Sequence, residues 1–125
     1  HFIYICFSIF INAIKTITQG NLYVIFQPHR YTRTQLLFDR FIEPLSEADD
    51  SYILDIYSAG EAPIPGISSK VLLERGSPNN VHYVSSTRLA IDIIAEKAVD
   101  GDTVLTLGAG DITLVGPKII GIIND

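Results

Sequence analysis

The sequence predicts an α/β domain: a Rossmann-like, mostly parallel sheet with helices on both faces. Three observations carry that expectation. From Asn21 onward, strand-like apolar runs alternate with helix-like segments of about 10–15 residues, the signature of βαβ units. Runs such as Leu22–Phe26 are continuously apolar rather than alternating, as strands buried on both faces are. Polar clusters follow three of these runs directly, where an open parallel sheet holds its ligand.

Each element has its own warrant. Phe2 to Ile11 is almost wholly apolar. It is shorter than the roughly 20 residues a bilayer span needs, and it lacks the basic stretch and small-residue cleavage site of a secretory signal. A buried strand or helix, or sequence unrelated to the rest, is expected there, with a membrane anchor as the minority reading. Leu22–Phe26 is the first strand, closed by Pro28, which has no N–H to give a ladder. A helix is expected over 34–48, with Leu36, Leu37, Phe41 and Leu45 as its apolar residues. Ser51–Tyr57 reads as the second strand and Ser58–Gly66 as a loop rich in Gly and Pro. Ser68 or Ser69 caps a short helix through Arg75. Gly76–Asn80 is a turn, and Val81–Val84 a third strand. Ser85 or Ser86 caps a helix with Leu89, Ile91, Ile94, Ala95 and Ala98 on its apolar face. Asp100-Gly101-Asp102 turns into a strand over Thr103–Leu107, and a last helix is expected from about Ile112.

Composition excludes several classes. With 125 residues the chain builds one core, and 47% hydrophobic with 18% charged residues is a globular balance. A net charge of −5 argues against a broad nucleic-acid surface, so cations must act locally. A single cysteine, Cys6, rules out an internal disulfide and a cysteine-rich zinc site, and fits a reducing compartment. No membrane partner is expected. Because the sequence begins at His1 rather than Met, it is expected to be a fragment or processed piece.

The chemistry is concentrated in three clusters: His29, Arg30, Tyr31 and Arg33; Asp55, Tyr57 and Ser58-Ala59-Gly60-Glu61; and Gly108-Ala109-Gly110-Asp111. In a parallel sheet all three converge on one rim. Two guanidinium forks there suit a carboxylate or phosphate, because each donates paired N–H bonds to two oxygens. The plainer alternatives are a salt bridge from the arginines to Glu61 or Asp111, Asp55 as a capping group, and Asp111 as a helix N-cap. Arg40, Arg75, Arg88, Lys97 and Lys118 read as solvated helix charges, and His82 as structural. His1, His29 and His82 are scattered, so no metal-ligand spacing is visible. No serine elbow, Walker motif or dinucleotide fingerprint occurs. No residue is assigned as catalytic; the reading is a ligand-orienting domain.

At these clusters the sequence resembles a known family. Phe26-Gln27-Pro28-His29-Arg30-Tyr31-Thr32-Arg33-Thr34 with Leu37-Phe38-Asp39, Leu54-Asp55-Ile56-Tyr57-Ser58-Ala59-Gly60-Glu61-Ala62-Pro63-Ile64, and Thr106-Leu107-Gly108-Ala109-Gly110-Asp111-Ile112 resemble, in order and spacing, the C-terminal domain of the Mur ligases. The His-Arg-Tyr-x-Arg signature resembles the alanine-adding members. The likeness covers 12–125, with Ala13–Ile17 similar to the family's first helix in this domain, and leaves 1–11 outside it. It implies an ATP- and magnesium-dependent ligase of cytoplasmic peptidoglycan synthesis that joins L-alanine to UDP-N-acetylmuramate. ATP and magnesium are held mainly by N-terminal and central domains that this chain lacks. By that resemblance Arg30 and Arg33 hold the amino-acid carboxylate or the charged groups of the intermediate, His29 and Tyr31 shape the pocket, Asp55 lies beside it, and Gly108–Asp111 approach through their backbone. The family's opening Asp-Asp-Tyr-x-His-His-Pro stretch has no counterpart in His1–Cys6, and the chain alone is expected to be inactive. The alternatives are a free-standing small-anion binding module and a non-functional gene remnant.

Overall fold

A computed structural model of the chain describes residues 2–108. Helix α1 (Phe2–Ile17) leads into strand β1 (Leu22–Gln27), helix α2 (Tyr31–Ser46), strand β2 (Asp50–Ile53), the short helix α3 (Ser69–Glu74), strand β3 (Val81–Tyr83), helix α4 (Thr87–Lys97) and strand β4 (Thr103–Gly108). All strand pairings are parallel, in the order β3-β2-β1-β4. The chain builds outward from β1 to β2 to β3, then returns across the sheet to lay β4 on the other side of β1. Strand order therefore reverses beside β1, and a crevice outside the carboxyl ends of β1 and β4 is where such sheets bind ligands.

The core has two halves because successive side chains of a strand face opposite ways. Leu22, Val24 and Phe26 of β1 face α1, α2 and α3, packing with Ile11, Phe38, Phe41, Leu45, Leu72 and Leu73. Tyr23 and Ile25 face the opposite way and, with Tyr52 and Leu54, meet Ala90, Ile91 and Ile94 of α4. β1, central and covered on both sides, is buried from Leu22 through Phe26, which explains its unbroken apolar run.

The boundaries differ from the sequence expectation at two places near the site. Helix α2 starts at Tyr31, three residues before the expected position, because its first turn receives a cap from a distant loop. Strand β2 ends at Ile53 rather than running to Tyr57; Leu54 still donates to the Phe26 carbonyl at 2.9 Å, and the chain then leaves the sheet. α1 is one continuous helix across residue 11. Ser68 and Ser86 are the caps of α3 and α4, each accepting a bond from a first-turn N–H. The expected helix from Ile112 lies outside the described residues.

Candidate functional site at the carboxyl edge

Beyond the last ladder bonds, the loops after β1 and β2 remain zipped together. Tyr57 N–H donates to the Pro28 carbonyl at 2.9 Å, Arg30 N–H donates to the Tyr57 carbonyl at 2.8 Å, and His29 and Tyr57 form an isolated parallel bridge. The rings of His29 and Tyr57 stack with centroids 5.7 Å apart and planes 17° from parallel. His29 is thus a wall of the edge, held by an aromatic neighbour the sequence had placed in another cluster.

Asp55 lies on the same rim. Its Oδ1 accepts from the Tyr83 hydroxyl at the end of β3, at 2.8 Å. Burial, then the bond to Asp55 and its charge, push the Tyr83 phenol up. Gln27 Nε2 donates to the Asp55 carbonyl at 3.4 Å, while Gln27 Oε1 is buried and, among the described residues, without a partner. Gly108 pairs directly with Gln27. A Cβ on Gly108 would lie 2.4 Å from the Gln27 carbonyl oxygen, and φ is +128°, so glycine is required there. The third predicted cluster therefore begins on the same edge as the first two. Ala109, Gly110 and Asp111 lie outside the described residues.

The start of α2 is unusual. Arg30 occupies the N-cap position with φ 71° and ψ 141° and makes no side-chain cap. That is a backbone region close to glycine-only territory, costing on the order of 1–3 kcal/mol. It persists because both sides of the residue are pinned. The Arg30 N–H is held by Tyr57, and the Arg30 carbonyl accepts from Thr34 N–H at 3.1 Å and Thr34 Oγ1 at 2.7 Å. The missing cap comes from Glu61, about thirty residues further on. Its Oε1 accepts from the N–H groups of Tyr31 and Thr32 at 2.5 and 3.0 Å, and its Oε2 from Thr32 Oγ1 at 2.7 Å. These bonds, led by the Thr32 hydroxyl and with a smaller contribution from the Arg30 charge, hold the Glu61 carboxyl below the ordinary glutamate range. The turn Ser58–Glu61 aims it: Glu61 N–H returns to the Ser58 carbonyl at 3.0 Å, with Ala59 and Gly60 at φ 52° and 85°.

Of the plainer expectation, a salt bridge from the arginines to Glu61 or Asp111, the Glu61 pair is not formed, since Glu61 is spent on the helix start, and Asp111 lies outside the described residues. Among the described residues neither Arg30 nor Arg33 is in an ion pair, and both are exposed. Arg88, by contrast, pairs with Asp92 at 3.3 Å. Arg33 sits in the first turn of α2, two positions past Tyr31. Two cations at the positive end of a helix dipole oppose its stability.

Lys97 corrects the sequence expectation. It is not a free solvated charge: its Nζ is 2.9 Å from Asp50 Oδ2 and lies over the rings of Tyr23 and Tyr52, 5.6 and 5.5 Å from their centroids. His82 bonds the other oxygen of Asp50 at 2.9 Å and stacks on Tyr52. Burial raises the Asp50 carboxyl, but the bonds from His82 and Lys97 outweigh it and leave it lowered. Asp50 opens β2, so this network lies at the amino edge, away from the candidate site. Glu61, Tyr57, Tyr83 and Gln27 lie on the same edge and were not singled out as site residues; Glu61 and Tyr57 had a visible signal, their place in the second cluster.

Among the described residues no group of three or more His, Cys, Asp or Glu side chains is placed to hold a metal. The chain is a parallel α/β domain whose strand order reverses beside β1, with Arg30 and Arg33 exposed at that edge and in no ion pair among the described residues.

Comparison with known proteins identifies the family. The chain belongs to the Mur ligases: residues 9–110 match the family described as Mur ligase, glutamate ligase domain. It is 40% identical over 110 residues to the UDP-N-acetylmuramate–L-alanine ligase of Acidobacterium capsulatum, covering 88% of this chain and 24% of that protein. It is 43% identical over 103 residues to the enzyme of the same name from Koribacter versatilis, covering 80% of this chain and 22% of that one. The chain thus spans less than a quarter of the length of these relatives. The solved UDP-N-acetylmuramate-alanine ligase of Thermotoga maritima superposes with a TM-score of 0.61, over 92% of this chain and 23% of that one, at 21% identity, a likeness of fold.

Proposed function

We propose that residues 12–125 are the C-terminal, substrate-closing domain of an ATP-dependent ligase that joins L-alanine to UDP-N-acetylmuramate in cytoplasmic peptidoglycan precursor synthesis. The observation that carries this reading is the pair of exposed arginines at the start of α2, in no ion pair among the described residues and on a strained backbone at the switch-point edge. The names of the relatives and the Mur ligase family match support it.

In this reading ATP, held by N-terminal and central domains, would supply the activating phosphoryl group, and Mg²⁺ held there would neutralise its charge. This chain's own residues do the positioning. Arg30 and Arg33 take the carboxylate of L-alanine or the charged oxygens of the activated intermediate, each fork bridging two oxygens. His29, fixed by its stack on Tyr57, and Tyr31 wall the amino acid. Asp55, held by Tyr83, and the backbone at Gly108, paired with Gln27, close the opposite side. Fixing an amine beside an activated carboxyl group and neutralising charge as it develops is catalysis by proximity and electrostatics.

The test is a chimera in which this chain replaces the matching segment of the Acidobacterium capsulatum protein. We expect ATP-dependent ligation of L-alanine by the chimera and none by the chain alone. A folded chimera that hydrolyses ATP but forms no alanine adduct, or an isolated chain that ligates, contradicts the proposal.

A further inference from the structure

Helices α3 and α4 are capped locally by the serine that precedes them, whereas α2 begins at an arginine and borrows its cap from Glu61 across the rim. A serine or aspartate at position 30 would cap the helix without strain. The chain has instead a cation in a glycine-like conformation, and a remote carboxylate supplies the bonds that residue 30 does not. The three Glu61 bonds fall on Tyr31 and Thr32, the two residues between Arg30 and Arg33. Whatever fixes those two residues sets the separation and direction of both guanidinium stems.

We propose that Glu61 is a positioning residue: by latching the first turn of α2 to the loop after β2, its carboxylate holds Arg30 and Arg33 in the arrangement that grips an anion. This rests on the assignment of those arginines to an acidic ligand, and it adds a group outside the signature that carries them. Glu61 does not touch the ligand. Its charge is committed to N–H and O–H donors, which leaves the guanidiniums in no ion pair among the described residues although Arg30 is near enough to lower the Glu61 carboxyl further. The opposite role is also chemically defined: a carboxylate at a helix N-terminus beside arginines can be a stand-in that a ligand anion displaces. The two roles predict opposite signs.

The experiment uses the whole chain and inorganic sulfate, whose charge is constant across the range, with affinity read from amide shifts in ¹⁵N NMR. Glu61→Ala is expected to weaken sulfate binding about tenfold, the size of one charged hydrogen bond. Glu61→Gln, which keeps an acceptor but not the charge, falls between it and the wild type. Thr32→Val, which removes one of the three latch bonds and leaves both backbone bonds, should show a smaller loss in the same direction and guards against a misfolded Glu61 variant. Because the Glu61 carboxyl is lowered from 4.5 by bonds to its charged form, the latch is complete above that pH and opens as pH falls through the folded value. Arg30 is the one charged group acting on it among the described residues. Wild-type affinity should therefore drop on acidification more than that of Glu61→Gln, a difference that mere loss of folding stability does not produce. Tighter or unchanged binding by folded Glu61→Ala overturns the latch while leaving the anion site standing. A wild-type chain that binds no sulfate overturns the anion site and the latch with it.

Discussion

Replacing Arg30 with glycine should make the domain more stable while weakening its hold on an anion. Arg30 is exposed, unpaired among the described residues, and held at φ 71°, ψ 141°. Glycine adopts that backbone without the steric cost, releasing about 1–3 kcal/mol. Against this stands the added freedom of the unfolded chain, about 0.4–1 kcal/mol. The difference is a stabilisation of roughly 0.5–2 kcal/mol, or about 2–8 °C in melting temperature for a domain of this size. Arg30→Ala removes the same guanidinium but keeps the Cβ and the strain, so its stability should stay within about 0.5 kcal/mol of wild type. Urea denaturation of the three proteins, with equal slopes as the check on two-state behaviour, measures the contrast. If Arg30→Gly is no more stable than Arg30→Ala, the backbone at residue 30 stores no strain, and the argument that function has displaced stability there fails.

Two further outcomes follow from the packing. Gly108→Ala places a Cβ 2.4 Å from the Gln27 carbonyl oxygen at φ +128°, and should cost about 2–5 kcal/mol of unfolding free energy in the same denaturation assay, overpacking and strain together. Asp50→Asn should flatten the acid limb of the stability–pH curve: a carboxyl held below 3.8 in the folded chain stabilises it above that pH, and the contribution is lost as pH falls through the folded value.

The parallel sheet was legible because β1 is buried on both faces and so unbroken in apolar character, and because Pro28 and Gly101 mark where strands end and begin. Convergence of the first two clusters, and of Gly108, followed from parallel strands alone. The early start of α2 was not legible, since its cap is a side chain about thirty residues away and nothing local at Arg30 announces a helix. The second strand was read too long because Leu54–Tyr57 looks apolar and aromatic, whereas those residues leave the sheet to follow the first loop. Lys97 looked like any charged residue near a helix end. Its partners Asp50, Tyr23 and Tyr52 lie on two strands that only the folded sheet brings beneath it.

The central claim is that the arginines of α2 grip the acidic group of the substrate, and the Michaelis constant for L-alanine in the chimeric ligase tests it most directly. Arg30→Ala and Arg33→Ala should each raise it about 10- to 100-fold, the loss of roughly 1.5–3 kcal/mol per charged hydrogen bond, while Arg88→Ala, whose partner is a neighbouring surface aspartate, leaves it unchanged. Equal effects from all three substitutions, or none from the first two, would contradict the account.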